Sequence, residues 1–380
     1  MQRFLLFLFL FLLSVSGSSQ ELSTPWYWLL QANQRFKNND STNAFLALKK
    51  SVQYGLFDPQ AVANKYFQSQ LNQDQQKKIL EGIKANRKKI ESPSSIKIIN
   101  SDIDRFWKIF EHRNDAYFDS LLTSDYIMKG SVGVQTFYQI RMQNSVKRLA
   151  DKIRSAPKFY ESIRPATLSF KKMQPQFIKA AEKLEQIYPE SVFPPIYFLI
   201  GHLNNVGTAD GYAGLLIGSE HLCKTGQTDT SELTAIDKMV LFDSGLVVPL
   251  IIHEYVHFQQ HNKYEQTLLE LSIMEGVADY ITFIITGKYT NPEVMQFGLK
   301  NEPKLRSHFS KEMDGENTDN WLFNAFNPET GYPGNLGYFI GFRICELYYR
   351  KAANKKTAVR EMLNIQDFKK ILEVSGYELK

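Results

Sequence analysis

Between Val247 and Asn262 the chain is apolar enough to be a buried helix, yet its middle reads His253-Glu254-Tyr255-Val256-His257. In a helix, residues four apart lie one turn apart on a single face, so both imidazoles can point at one ion. Glu254 projects about 100° away from His253, close enough to hold a water bound to that ion. Ile251, Ile252 and Val256 mark the helix as buried, and imidazoles and a carboxylate taken out of water need partners. Any fold this chain adopts must therefore bring polar groups or a cation to that face. Thiolates are a poor source, because Cys223 and Cys345 are the only cysteines in 380 residues. That scarcity excludes a disulfide scaffold and a cysteine-rich zinc ribbon, and leaves His and carboxylates to hold a metal.

A third donor is needed. His261 lies two helical turns beyond His253, roughly 12 Å along the axis, and cannot join the same ion while the helix continues. The next predicted helix, Leu268 to Gly287, is bulked with Leu269, Ile273, Val277, Tyr280, Ile281 and Ile284. Inside that apolar run stand Glu275 and, one turn later, Asp279. Glu275 as third ligand, Asp279 as the acceptor orienting a ligand His through its free ring N–H, and a fourth position open for water make a complete zinc site.

His253-Glu254-Tyr255-Val256-His257 followed by Glu275-Gly276-Val277-Ala278-Asp279 resembles the gluzincin, or thermolysin-like, site. The wider pattern, from about Ser191 to Arg350, resembles the predicted zinc-dependent protease family catalogued as a domain of unknown function. It takes in Gly207 to Glu220 before the site and Leu336-Gly337-Tyr338-Phe339-Ile340-Gly341 after it. The resemblance implies peptide hydrolysis at zinc, with Glu254 as the base. It also implies that Ala213, Gly214, Leu215, Leu216 and Ile217 form an edge strand on which extended substrate pairs; an exposed strand edge can add a peptide by main-chain hydrogen bonds. Attack of water on an amide creates an oxyanion, which calls for a donor besides the metal. Tyr338, between two glycines, is the first choice; Tyr332, Tyr280 and His308 stay open.

The rest of the chain reads as an α+β protein in pieces. Residues 1–19 carry Arg3, the apolar run Phe4 to Leu13 and then small residues, the three parts of a secretory signal. That run is half the roughly 20 residues a membrane span needs, so the expectation is export, periplasmic or secreted, with no stable span after cleavage. In an oxidising compartment Cys223 and Cys345 become candidates for a disulfide. Residues 20–92 read as a helical, tetratricopeptide-like module, 93–100 as a linker through Glu91-Ser92-Pro93-Ser94-Ser95, and 101–380 as a zincin-like catalytic domain with a small sheet. A net charge of +5, from 45 Lys and Arg against 40 Asp and Glu, comes with no concentrated basic run and predicts no nucleic-acid partner. Peptide or protein is the expected substrate. The competing reading is a non-catalytic scaffold with a structural zinc, whose N-terminal helices bind a protein partner; Glu254 speaks against it, since a structural site needs no base.

Overall fold

The structure, a computed structural model, describes residues 22–262, 266–324, 326–327 and 331–379. The signal segment expected at 1–19 lies outside the described residues. The protein is mostly helical with a small four-stranded sheet, an α+β arrangement. It divides into two compact units: residues up to Gln174 with Val192–Glu220, and Pro175–Ser191 with His221–Lys380.

The first unit opens with α1 (Pro25–Lys37) and α2 (Ser41–Gln53). Thr24 caps α1 by accepting the N–H of Tyr27, with Pro25 at the first helical position, and Asp40 caps α2. Together with α3 (Lys65–Gln70) and α4 (Gln73–Lys88) they close over a core that includes Trp28, Leu29, Phe36, Leu48, Phe67, Ile79 and Ile83. These helices are tied into their unit. Thr24 Oγ1 donates to Gln139 at 2.8 Å, and the ring of Trp26 stacks on Tyr212 at 5.3 Å.

The segment 93–100, expected as a linker, holds a 3-10 turn at Pro93–Ser95 and then β1 (Ile98–Ile99). Pro and Ser do mark a turn there, but the two isoleucines that follow pair in parallel with β2 (Ile196–Leu199). The helices α5 (Ser101–Phe110), α6 (Phe118–Leu121), α7 (Val132–Ile140), α8 (Lys147–Ser155) and α9 (Pro157–Ser169) belong to the same unit. The sheet runs β1-β2-β4-β3, where β3 is Gly207–Asp210 and β4 is Gly214–Gly218. This order corrects the expected substrate edge at Ala213–Ile217. Leu215 pairs with Ile196 of β2 on one side and with Ala209 of β3 on the other, so the main-chain groups of β4 are already engaged. Ala213 precedes the strand, in a turn held by the Asp210 carboxylate, which accepts the N–H groups of Tyr212 and Ala213. Gly214 follows with φ +135, a conformation open to glycine, and a side chain there would strike the Pro195 carbonyl. The free edges belong to β1 and β3, and β3 is too polar to read as a strand from sequence.

The second unit contains α10 (Gln174–Ile187) apart from its first residue, the short α11 (Ala235–Met239), and then α12 (Val247–Gln259) and α13 (Leu268–Thr286). Thr267 and Glu270 form a capping box at the start of α13, and Gly287 ends it in the left-handed conformation. After α14 (Pro292–Glu312) comes α15 (Leu336–Lys351), then α16 (Lys355–Leu363) and α17 (Phe368–Ser375). Helices α13 and α15 cross backbone against backbone. A Cβ on Gly276 would overlap the main chain of Gly341, and one on Gly341 would overlap the Ser272 carbonyl. Small residues four apart on both helices, Ser272 with Gly276 and Gly337 with Gly341, permit this approach. No helix among the described residues is long and apolar enough to cross a membrane. Cys223 and Cys345 are both buried, and no disulfide joins them.

Candidate metal centre

Helix α12 supplies His253 and His257, and α13 supplies Glu275. The Nε2 atoms of the two histidines are 3.0 Å apart, and Glu275 Oε2 lies 3.4 Å from each. His253 and Glu275 are buried. Donors about 2.0–2.1 Å from a tetrahedral ion stand about 3.3 Å from one another, so the spacing suits a single small cation.

Whether these residues fit a cation is decided by their lone pairs. His253 Nδ1 sits 2.8 Å from Asp279 Oδ1, an acceptor, so Nδ1 carries the proton. His257 Nδ1 sits 2.9 Å from Gln260 Oε1. The Gln260 amide has only one workable orientation, because its other end meets the Met274 carbonyl at 2.7 Å and must be the NH2. Nδ1 of His257 therefore donates as well. In their neutral forms both rings turn an Nε2 lone pair toward Glu275 Oε2, which has no hydrogen-bond donor among the described residues. Three acceptors face one point, and positive charge is what satisfies them.

The titration behaviour says the same. Burial works against a charged His253, but the hydrogen bond to Asp279 and the charges of Asp279 and Glu275 outweigh it and push its pKa well above the imidazole range. Burial likewise opposes charge on His257, and Glu275 reverses it. Burial would raise the pKa of Glu275, but the two imidazoles hold it well below the usual carboxylate range. Protons on the rings and a divalent cation are alternative ways to supply the same charge.

Three further groups complete the surroundings. Glu254 is half-buried beside His253, with no hydrogen-bonded partner among the described residues. Tyr338, on the first turn of α15, lays its ring along His253 at 6.3 Å between centroids, close enough for the Glu275 charge to act on its phenol. The close crossing of α13 and α15 carries it there. Burial, then the charges of Glu275, Asp279 and Glu254, push the Tyr338 phenol well above its ordinary pKa, so it stays a hydrogen-bond donor. Tyr280 packs instead against Phe342 and Tyr349, and Tyr332 against Phe297. Asp279 Oδ1 also accepts from the buried Thr290 hydroxyl at 2.6 Å.

Sequence reasoning missed Gln260 and Thr290. Gln260 follows the last residue of α12 and points where the helix end sends it, while Thr290 returns toward Asp279 from beyond the Gly287 cap. The Asn291-Pro292 break after α13 is a local sign that the chain turns there. The expected strand Ala213–Ile217 belongs to the first unit, and the candidate metal donors His253, His257 and Glu275 belong to the second.

No curated protein and no solved structure gives a significant match to the chain. Residues 216–372, which contain His253, Glu254, His257, Glu275, Asp279 and Tyr338, match the family model described as Predicted Zn-dependent protease (DUF2268).

Proposed function

We propose that the protein is a zinc-dependent peptidase of gluzincin type, with His253, His257 and Glu275 as the metal ligands and Glu254 as the proton carrier. The observation that carries this reading is the buried convergence of two Nε2 lone pairs and one carboxylate oxygen, beside a carboxylate with no hydrogen-bonded partner of its own among the described residues. When bound, the zinc supplies Lewis acidity, which brings the pKa of water toward neutrality and polarises a carbonyl. Glu254 takes the proton from the attacking water and returns it to the departing amine. Tyr338 donates its hydroxyl hydrogen to the oxygen on which negative charge develops. Asp279, braced by Thr290, keeps His253 in the tautomer that frees Nε2.

Export follows from the apolar run Phe4 to Leu13 as part of the same proposal. The reading of α1 to α4 as a tetratricopeptide-like module that offers a surface to a protein partner is part of the same proposal and is motivated by its paired helices.

Metal analysis of protein purified without chelator, paired with an unbiased peptide-cleavage profile, tests the proposal. One zinc per chain and cleavage are expected. Glu254→Gln should keep the zinc and lower kcat by about 10²–10⁴-fold, the usual worth of a general base. A chain that carries no metal and takes up none on zinc addition ends the reading. Full zinc with no cleavage of any peptide supports the scaffold alternative.

A further inference from the structure

The two histidines are held from behind in different ways. His253 leans on a carboxylate, Asp279, which sits on the helix that bears Glu275. His257 leans on a neutral amide from its own helix end, and that amide is itself anchored to the facing helix. Gln260 is the first residue to leave helical conformation, with ψ 118, although neither glycine nor proline stops α12 there. Its extended backbone turns the side chain across to α13, where the NH2 group donates to the carbonyl of Met274, the residue before Glu275. The amide is buried. Its neighbour Gln259 does something quite different: its NH2 folds back onto Tyr255 O within α12.

From this geometry we infer that Gln260 is a positioning residue for the metal centre: one buried amide fixes the Nδ1–H form and orientation of the His257 ring while gripping the peptide next to Glu275. The inference rests on the metal-centre reading. A glutamine is suited to the task because it accepts and donates at the same time. Its acceptor end selects the ring tautomer, and its donor end keeps that acceptor from rotating away. Two ligands on two helices are thereby referenced to a single side chain. A carboxylate in this place would accept from His257 but give up the donation to Met274 O. An aliphatic side chain would give up both and leave the ring free to flip.

The test compares the wild-type full chain with Gln260→Leu, Gln260→Glu and Gln259→Leu. Zinc affinity is measured by competition with a chromophoric chelator, and the His257 ring N–H proton is followed by NMR in the zinc-loaded protein. Gln260→Leu should weaken zinc binding by about 10–100-fold, the usual loss when a group behind a ligand is removed, and its ring proton should exchange rapidly. Gln260→Glu restores the acceptor and should bind zinc about tenfold more tightly than the Leu variant. Gln259→Leu loses the side-chain hydrogen bond from its amide to Tyr255 O, of similar burial, and should leave zinc affinity unchanged, which separates positioning from mere stability. Equal zinc affinity for Gln260→Leu and wild type overturns the inference. So does a Glu variant no better than the Leu variant. If Gln260→Leu does not fold, the wild-type spectrum still decides: a His257 ring proton in fast exchange overturns the inference, and a protected one supports it. Wild-type protein that takes up no zinc would instead overturn the metal-centre reading itself.

Discussion

Asp210 in the first unit and Glu275 in the second are both buried carboxyl groups, and their surroundings treat them in opposite ways. Asp210 ends β3 and accepts two backbone N–H groups in the turn to β4. Burial outweighs those bonds and the charge of Arg141, and pushes its pKa up to about 6. Glu275 is buried as well, yet two imidazoles hold it charged. Both carboxyls are desolvated, so burial alone does not distinguish a structural acid from a chemical one. What distinguishes them is the partner: peptide N–H groups close a turn and ask for no cation, whereas lone pairs facing a carboxylate do ask for one.

Removing each charge in turn tests that contrast. Glu275→Gln should have the largest effect, lowering zinc affinity by more than the roughly 10–100-fold typical of a lost group behind a ligand, and abolishing cleavage. Asp210→Asn should leave zinc stoichiometry as it is. Zinc binding by Glu275→Gln equal to that of wild type would erase the difference between the two acids.

A pH series sharpens the other side. The Asp210 pKa is raised on folding, so the folded state binds the extra proton, and the resulting stability is complete below about pH 4 and lost as pH rises through about 6. From the model-compound value of 3.8 to about 6, the loss is roughly 3 kcal/mol. Asp210→Asn keeps the side-chain acceptor for the turn. Urea midpoints between pH 4 and 7 should therefore show the variant gaining on wild type by about that amount as pH rises, and parallel curves would contradict the assignment.

The smallest effect is expected at Thr290. Thr290→Val keeps the shape and deletes one hydrogen bond to a charged acceptor, worth about 1.5–3 kcal/mol at most. Zinc affinity should drop by less than about tenfold, with His253 still oriented by the unbraced Asp279. A loss as large as that of Glu275→Gln would mean that Asp279 has no fixed position without its brace.

The parts of this molecule legible in the sequence are those that depend on short-range periodicity. His253 and His257 share a face because four residues make about one turn, and Glu275 stands out because its neighbours Ile273 and Val277 are apolar. The buried α12 and α13 could be bounded to within a few residues for the same reason. The sheet was not legible in this way. Strand β1 is two residues long and hides in a Pro-Ser segment, and β3 reads Gly-Thr-Ala-Asp, so β4 is covered on its outer side by a strand, β3, that carries no strand signal of its own. Gln260 and Thr290 stayed hidden for a further reason. Each acts at the point where a helix ends, and the direction of a chain leaving a helix is set by tertiary contacts rather than by spacing.

The backbone contact between α13 and α15 has a mechanical consequence. Most helix pairs are kept apart by side chains, which are compressible and can change rotamer; here the spacer is the main chain itself, with no adjustable part. The separation of the Tyr338 phenol from the Glu275 carboxylate is thus gauged by the thickness of two peptide backbones. A single methyl at Gly276 or Gly341 would act as a shim between the helices, moving the phenol relative to His253, His257 and Glu275 without altering any of those groups.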